Sequence, residues 1–401
     1  MRVRSPGAPA GAIDEGGRAL TPPAFPVGID YTPAVAQGGG IGRYVRELVA
    51  ALALEDPDSP YRLFVAGARV RDLPPPPGAN FAWRAARLST RAFAWLWHRA
   101  RVLPPVEWWT GALRLFHATD FVLPPTRPET RTLLTVHDLT FVRAPETASP
   151  RLRRYLDRVV PRSVARADHI LADSQATKDD LAALYGTAPE KITVLYSGVE
   201  PRFQPVHDAA ARDAVRNRYG IGGAPYILSV GTVQPRKNYV RLIEAMRALP
   251  DHHLVIAGGR GWLEGPIHAA ADAPAVRGRV HFIGFADDAD LPALYSAADA
   301  FAFPSLYEGF GLPILEAMAC GAPVVTSSAS SMPEVAGDAA LLVAVDGGPG
   351  AADALAEALR RVLGDATLRA QLRARGFAQA RRFTWQRAAA QLRAVYRALA
   401  G

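Results

Sequence analysis

The chain has 401 residues, 49% of them hydrophobic and 21% charged, with a formal net charge of +8 and one cysteine. That length holds two or three domains of ordinary size, and the composition is that of a globular protein. It excludes an internal disulfide and a cysteine-based metal cluster, and no apolar run is long enough to span a bilayer.

The charge excess is almost all arginine; lysine occurs only at Lys178, Lys191 and Lys237. A positive balance favours anionic partners such as a nucleotide diphosphate or an anionic membrane face. No zinc-finger spacing or aromatic–basic RNA-binding motif occurs, so nucleic acid is not an expected partner. Residues 1–24 are rich in Gly, Pro and Ala without a continuous apolar segment. They read as a disordered tail and not as a secretory signal, which fits a cytoplasmic location.

From there short apolar runs alternate with helical patterns, the mark of an α/β protein with parallel sheets. The first half predicts strands near Val27–Asp30, Tyr61–Ala66, Leu113–His117, Thr132–Val136, Ile170–Ala172 and Thr193–Leu195. The second half predicts them near Tyr226–Val230, His253–Ala257, Val280–Ile283, Ala300–Phe303, Pro323–Thr326 and Ala340–Val343. Between the halves, Glu200–Ala224 is polar and broken by Pro and Gly, as an interdomain linker would be. The tail from Asp353 is helical, with Leu355, Leu359 and Val362 on one face and Leu392, Val395, Tyr396 and Leu399 on another. Two doubly wound domains would gather their strand ends around one cleft, where ligands bind.

The residues that could carry chemistry sit at those strand ends. Gly38-Gly39-Gly40-Ile41-Gly42 follows the first strand and precedes a helix with Ile41, Val45, Leu48, Val49 and Leu52 on one face. Small residues let backbone approach a phosphate, although such a loop can equally be only a turn. It matches neither the dinucleotide fingerprint nor a Walker A loop. The stretch Arg91–Arg101 places Trp95 and Trp97 near Arg99 and Arg101. It suits either an anionic membrane surface or a buried helix with an arginine edge. His137-Asp138 ends the strand Thr132–Val136, and His117 is placed similarly. Each histidine can donate to a substrate hydroxyl or be a hydrogen-bonded core residue. Ser174 reads as a helix N-cap rather than a catalytic serine, since no nucleophile elbow surrounds it. After Tyr226–Val230 come Gly231 and then Arg236-Lys237, a planar fork and a mobile point charge suited to phosphate oxygens.

The segment Pro304–Val325 is the most informative. Ala300–Phe303 reads as a buried strand, Gly309-Phe310-Gly311 as a loop, Pro313 as the first turn of a helix and Cys320-Gly321 as its end. A helix N-terminus aimed at a cleft is an anion site. Glu308 lies in the loop and Glu316 about one turn into the helix. Glu47 and Glu55 share that spacing without the context.

The whole string E-G-F-G-L-P-I-L-E-A-M-A-C-G resembles the E-x7-E signature of retaining glycosyltransferases of family 4. The resemblance covers roughly Val27 to Tyr396 and implies the GT-B fold, two Rossmann-like domains facing a central cleft. It divides the chain into an acceptor-side domain over 25–205, a nucleotide-sugar domain over 206–384 and a helix over 385–401 returning to the first domain. It implies a hexosyltransferase, mannosyltransferase-like, moving a hexose from a nucleotide-diphosphate sugar such as GDP-mannose to a glycan or lipid-linked acceptor. His137 would lie beside the transferred sugar with Asp138, and Glu308 would hold the donor hexose. Arg236, Lys237 and the backbone of Gly309, Phe310, Gly311 and Leu312 would take the diphosphate. Glu316 would hold the ribose, Gly284 and Phe285 the base, and Gly39, Gly40 and Gly231 the close backbone approaches. The family's S-x-x-T-K segment is matched at Ser174–Lys178, the turn before its linker at Ser197-Gly198-Val199, and a short helix of its second domain at Pro333-Glu334-Val335. Many members carry arginine directly after the strand-end glycine, where this chain has Thr232. No metal or other cofactor is implied. Two alternatives remain: a metal-dependent GT-A transferase using Asp288-Ala289-Asp290 or Asp56-Pro57-Asp58, and a non-catalytic sugar-nucleotide-binding subunit. A peripheral membrane contact through Arg91–Arg101 is compatible with a lipid-linked acceptor.

Overall fold

The computed structural model describes residues 26–99, 104–345, 348 and 350–400. The tail expected over 1–24 lies outside them. Two parallel sheets organise the chain. The first has seven strands: β1 (Val27–Asp30), β2 (Tyr61–Ala66), β3 (Phe81–Ala86), β4 (Leu115–Ala118), β5 (Arg131–Val136), β6 (His169–Ala172) and β7 (Ile192–Val194). The second has six: β8 (Tyr226–Val230), β9 (His253–Ala257), β10 (Val280–Gly284), β11 (Ala300–Phe303), β12 (Val324–Ser327) and β13 (Ala340–Val343). Their orders are β3-β2-β1-β4-β5-β6-β7 and β10-β9-β8-β11-β12-β13. Helices cover both faces, which is why the inner strands are almost uninterrupted apolar runs such as Ala300-Phe301-Ala302-Phe303.

Strand order reverses between β1 and β4 in one sheet and between β8 and β11 in the other. Crevices open at such switch points, beyond the carboxyl ends of the strands. The two crevices face each other. The helix Trp385–Ala400 crosses back to the first domain, where Trp385, Leu392 and Tyr396 share a core with Val45, Leu48 and Leu115. His117 belongs to that core and not to the cleft. Its Nδ1 meets Tyr396 Oη at 2.7 Å and its Nε2 meets Thr135 Oγ1 at 2.8 Å. Burial and the neighbouring His137 push it down to about 3, so it is neutral.

The domains touch at several points besides the cleft. Glu334 accepts from the backbone N–H groups of Gln175 at 3.0 Å and Ala176 at 3.1 Å and from Tyr196 Oη at 2.8 Å. It lies at the N-terminus of the helix Gln175–Tyr185, whose cap is Ser174. Trp262 Nε1 donates to the Thr147 carbonyl at 2.7 Å, and Tyr307 Oη donates to Asp180.

Two local features differ from expectation. The edge strand β3 was not expected; its residues FAWRAA are short and interrupted by Arg84. Glu200–Ala224 is not a plain linker, because it holds the helix Ala209–Arg218 capped by Asp208. None of that helix is buried, so it shows no apolar stripe to read.

Candidate functional site

A cleft of about 330 Å³ lies between the strand ends of the two sheets. Gly39, Gly40, His137 and Asp138 line it from the first domain. Gly231, Arg236, Lys237, Phe285, Glu308, Gly309, Phe310, Gly311, Leu312 and Glu316 line it from the second. Gly284 is not on its wall; its carbonyl accepts from Gly258 N–H at 2.7 Å, and Phe285 continues outward, 64% exposed. The wall also contains Arg43, Gly258 and Gly259, which the sequence reading missed. The two glycines directly after β9 were a usable signal. Arg43 carried none in so arginine-rich a chain.

The loop after β11 carries the site's densest electrostatics. Lys237 Nζ lies 2.7 Å from Glu308 Oε1, and Arg236 pairs with the other carboxylate oxygen. Arg236 also donates to the Tyr307 carbonyl at 2.8 Å, and its own carbonyl accepts from Leu306 N–H at 2.9 Å. The basic turn and the acidic loop are thus one unit. Lys237 Nζ stands 4.5 Å from the centroid of the Phe303 ring, a cation–π contact that favours its charge. Its stem lies over Gly231, where a Cβ would come within 2.7 Å of Lys237 Cε. The single O–H of Ser331 lies between two acceptors, the Phe310 carbonyl at 2.7 Å and the Glu308 carbonyl at 3.0 Å, which holds the loop in place.

Burial opposes charge on all three groups, and the pairing mostly overrides it. Glu308 is drawn down to about 2 by Arg236 and Lys237 despite its burial. Burial lowers Lys237, with Glu308 working against the fall, while Glu308 raises Arg236 against burial. With all three ionised the trio carries one net positive charge, facing the cleft beside the helix Leu312–Ala319. Gly311 caps that helix at φ +113°, and Pro313 occupies its first turn.

Gly309 shows how closely the domains meet. A Cβ there would lie 2.1 Å from the His137 carbonyl oxygen. His137 itself is buried. Its Nδ1 is 2.8 Å from Asp173 Oδ2 and its Nε2 is 2.9 Å from the Thr119 carbonyl. A carbonyl only accepts, so Nε2 carries a proton, and Nδ1 faces a carboxylate. Burial disfavours the charged ring, yet the Asp173 carboxylate raises it to about 9. His137 is therefore an imidazolium whose two N–H groups already have acceptors. Asp138 Oδ1 accepts from Thr140 N–H at 2.9 Å.

Glu316 marks the other end of the cleft, eight residues along the chain from Glu308. Its Oε1 accepts from Arg43 Nη1 at 2.6 Å and its Oε2 from Tyr295 Oη at 2.8 Å. Burial pushes its carboxyl up, with Arg43 opposing the rise. Of the two D-x-D strings, Asp290 accepts from Arg218 at 2.7 Å and Tyr219 at 2.9 Å. It stands at the N-cap position of the helix Leu291–Ala297, where its side chain bonds no helix N–H. Asp56 accepts from Tyr61 Oη at 2.9 Å, away from the cleft. Among the described residues no cluster of three or more His, Cys, Asp or Glu is placed to hold a metal ion.

Two family descriptions match the chain: "Glycosyltransferase Family 4" over residues 38–203 and "Glycosyl transferases group 1" over 211–379. The O-antigen chain mannosyltransferase B of Escherichia coli is 32% identical over 377 residues, covering 90% of this chain and 96% of the relative. A D-inositol 3-phosphate glycosyltransferase of Salinispora tropica is 37% identical over 249 residues, 58% of this chain and 51% of that one. Among solved structures, the sucrose-phosphate synthase of Thermosynechococcus elongatus aligns with a TM-score of 0.73 at 23% identity, covering 94% of this chain and 99% of that one. Anabaena HepE in complex with UDP and glucose aligns at 0.66 and 19%, covering 93% and 99%. At those identities the structural likeness concerns the fold, which is GT-B. The metal-dependent GT-A alternative does not hold for a chain of two facing Rossmann-like sheets.

Proposed function

Because the chain belongs to glycosyltransferase family 4 and is a hexosyltransferase of the GT-B type, we propose that it moves mannose from GDP-mannose to a glycan or lipid-linked acceptor with retention of configuration. Mannose as the sugar is supported by the likeness to a mannosyltransferase along nearly the whole length of both chains. The observation that carries the chemistry is the ion-paired trio of buried Glu308 and Lys237 with half-buried Arg236, beyond the ends of β8 and β11.

The hard step is breaking the anomeric C–O bond, which builds positive charge on the sugar and negative charge on the departing diphosphate. The trio has one positive charge in excess, held in place before the donor arrives. Preorganised charge of this kind stabilises a transition state more than flexible or solvated charge does. The Gly311–Leu312 backbone at the helix N-terminus adds dipoles on the same side. Glu308 keeps the cations aligned and offers its carboxylate to hydroxyls of the hexose. Glu316 anchors the ribose. His137 stands beside the sugar as a charge-compensated pair with Asp173 rather than as a free N–H donor, since both nitrogens are engaged. The acceptor attacks on the face the diphosphate leaves, without a protein nucleophile, so the two glutamates do not form a retaining-hydrolase pair. The diphosphate is neutralised by side chains, and the reading calls for no metal; activity should survive EDTA.

A peripheral contact with the inner membrane face belongs to the same reading. No helix among the described residues is long and apolar enough to cross a membrane. Trp95 is 57% exposed, whereas Phe93 is buried and Trp97 packs against Phe93 in a tilted contact and against Trp109 edge-on. Residues 100 and 101 of the basic aromatic stretch lie outside the described residues. Trp108 is exposed as well.

The test is a thermal-shift screen of the pure protein with GDP-, UDP-, ADP- and dTDP-sugars, followed by turnover with those that bind. A ligand at 100 times its Kd stabilises by about 2.7 kcal/mol. GDP-mannose should give the largest shift and release GDP on turnover. Absence of any shift or turnover with all four would overturn the reading.

A further inference from the structure

Arg43 stands in the first turns of the helix Gly40–Glu55, on the first domain, yet its guanidinium reaches residues of the second. Nη1 donates to Glu316 Oε1 at 2.6 Å, Nη2 to Asp288 Oδ1 at 2.6 Å, and Nε lies 3.5 Å from Glu200 Oε1. Phe203 lies under it, with its ring centroid 5.8 Å from Cζ. The groups facing Glu316 are few. Arg43 comes from the first domain, Tyr295 from the helix Leu291–Ala297, and Glu200 and Arg202 from the segment after β7; Cys320 ends Glu316's own helix. Of the cations, Arg43 makes the hydrogen bond.

The bonding pattern decides what this contact does. Each carboxylate oxygen has two lone-pair sites. Arg43 takes one on Oε1 and Tyr295 takes one on Oε2, which leaves one on each oxygen for a pair of vicinal hydroxyls. Arg43 is therefore placed to aim Glu316 without blocking it. Without Arg43, burial and the nearby Glu200 carboxylate would favour the protonated acid. A protonated Glu316 accepts weaker hydrogen bonds, because charge-assisted bonds are roughly twice as strong as neutral ones.

We infer that Arg43 is a positioning residue for the nucleotide: reaching across the cleft, it holds and orients the Glu316 carboxylate, so that the donor site of the second domain is complete only when the first is closed upon it. The inference rests on the reading of Glu316 as the ribose anchor. It also sets the sign of the effect, since an arginine that competed with ribose would weaken binding by its presence.

The experiment is calorimetric titration of GDP, with UDP as a second arm, from pH 6 to 8.5. The proteins are wild type, Arg43→Met, Arg43→Lys and the double variant Arg43→Met/Glu316→Gln. Wild type sets the reference at each pH, because the terminal phosphate of GDP also ionises at about pH 6, and each variant is compared with it at the same pH. Arg43→Met should bind about tenfold more weakly at pH 6 and recover as pH rises and Glu316 ionises. Arg43→Lys should stay close to wild type, and the double variant should be weaker than wild type by a factor that does not change with pH, since the titrating side chain is gone. In kinetics with the donor, Arg43→Met should raise KM more than it lowers kcat. If Arg43→Met fails to fold by its melting curve, Arg43→Gln carries the same expectation. Equal or tighter binding by the neutral variants, or a loss identical at every pH, would overturn the inference. Wild type binding neither GDP nor UDP would instead overturn the functional reading on which it rests.

Discussion

Replacing Glu308 by glutamine keeps the side chain's shape and removes the one negative charge between buried Lys237 and half-buried Arg236. In the native protein Lys237 Nζ sits 2.7 Å from Oε1 while Arg236 holds the other oxygen. Breaking a buried pair by deleting one partner costs about 3–5 kcal/mol, because the remaining charge loses its compensation. Two contacts survive here: Arg236 to the Tyr307 carbonyl at 2.8 Å and Lys237 over the Phe303 ring at 4.5 Å. The loss should therefore fall at the low end, about 3 kcal/mol, or about 6–12 °C in the melting of a domain of this size. A diphosphate would return the missing charge. GDP at one and the same concentration should thus stabilise Glu308→Gln about as much as wild type or slightly more, while kcat is lost. Calorimetric melting with and without GDP, and with pyrophosphate as control, checks both halves. An unchanged melting temperature would show that Glu308 does not compensate the cations. A GDP-induced stabilisation clearly smaller in Glu308→Gln than in wild type would show that Arg236 and Lys237 do not face the diphosphate.

Lys237→Ala should lower turnover more than stability. Glu308 keeps Arg236 as a partner, whereas a lost contact at the leaving group costs about 2–4 kcal/mol in the transition state; steady-state kinetics beside a melting curve measure both. Stability should also fall at alkaline pH through His137. Its folded value near 9 lies above the ordinary histidine value, so its contribution, on the order of 3 kcal/mol, is complete below about pH 6.5 and vanishes as pH rises through 9. Denaturant midpoints from pH 6 to 10 should show that fall in wild type and not in His137→Gln. Binding to anionic liposomes, followed by sedimentation, should drop when Trp95, Trp97, Arg99 and Arg101 are replaced together; equal partitioning would remove that stretch from any membrane role.

Much of the scaffold was legible because parallel strands covered on both faces are short apolar runs, and Tyr226–Val230, His253–Ala257 and Ala300–Phe303 stand where such runs place them. The helix Leu312–Ala319 was legible from Pro313 at its start and Gly321, at φ +80°, beyond its end. Sequence reasoning also placed Arg236, Lys237, Glu308 and Glu316 at strand and helix ends. What it did not contain was their pairing. The Lys237–Glu308 contact joins residues 71 positions apart, and Arg43 meets Glu316 across 273, distances at which no local pattern survives. His137 shows a different limit. Its place after β5 could be read, but its charge state depends on Asp173 and the Thr119 carbonyl, which only the folded sheet brings to its two nitrogens.

The most direct measurement is the calorimetric affinity of free GDP for Glu316→Ala beside Glu308→Gln. Ribose is present in substrate and product alike, so its contacts change little during reaction and act on binding more than on the chemical step. If the cleft holds the nucleotide at Glu316 and the reacting hexose at Glu308, Glu316→Ala loses GDP affinity and Glu308→Gln binds GDP almost normally. Loss of GDP binding in Glu308→Gln, with Glu316→Ala unaffected, would contradict that arrangement.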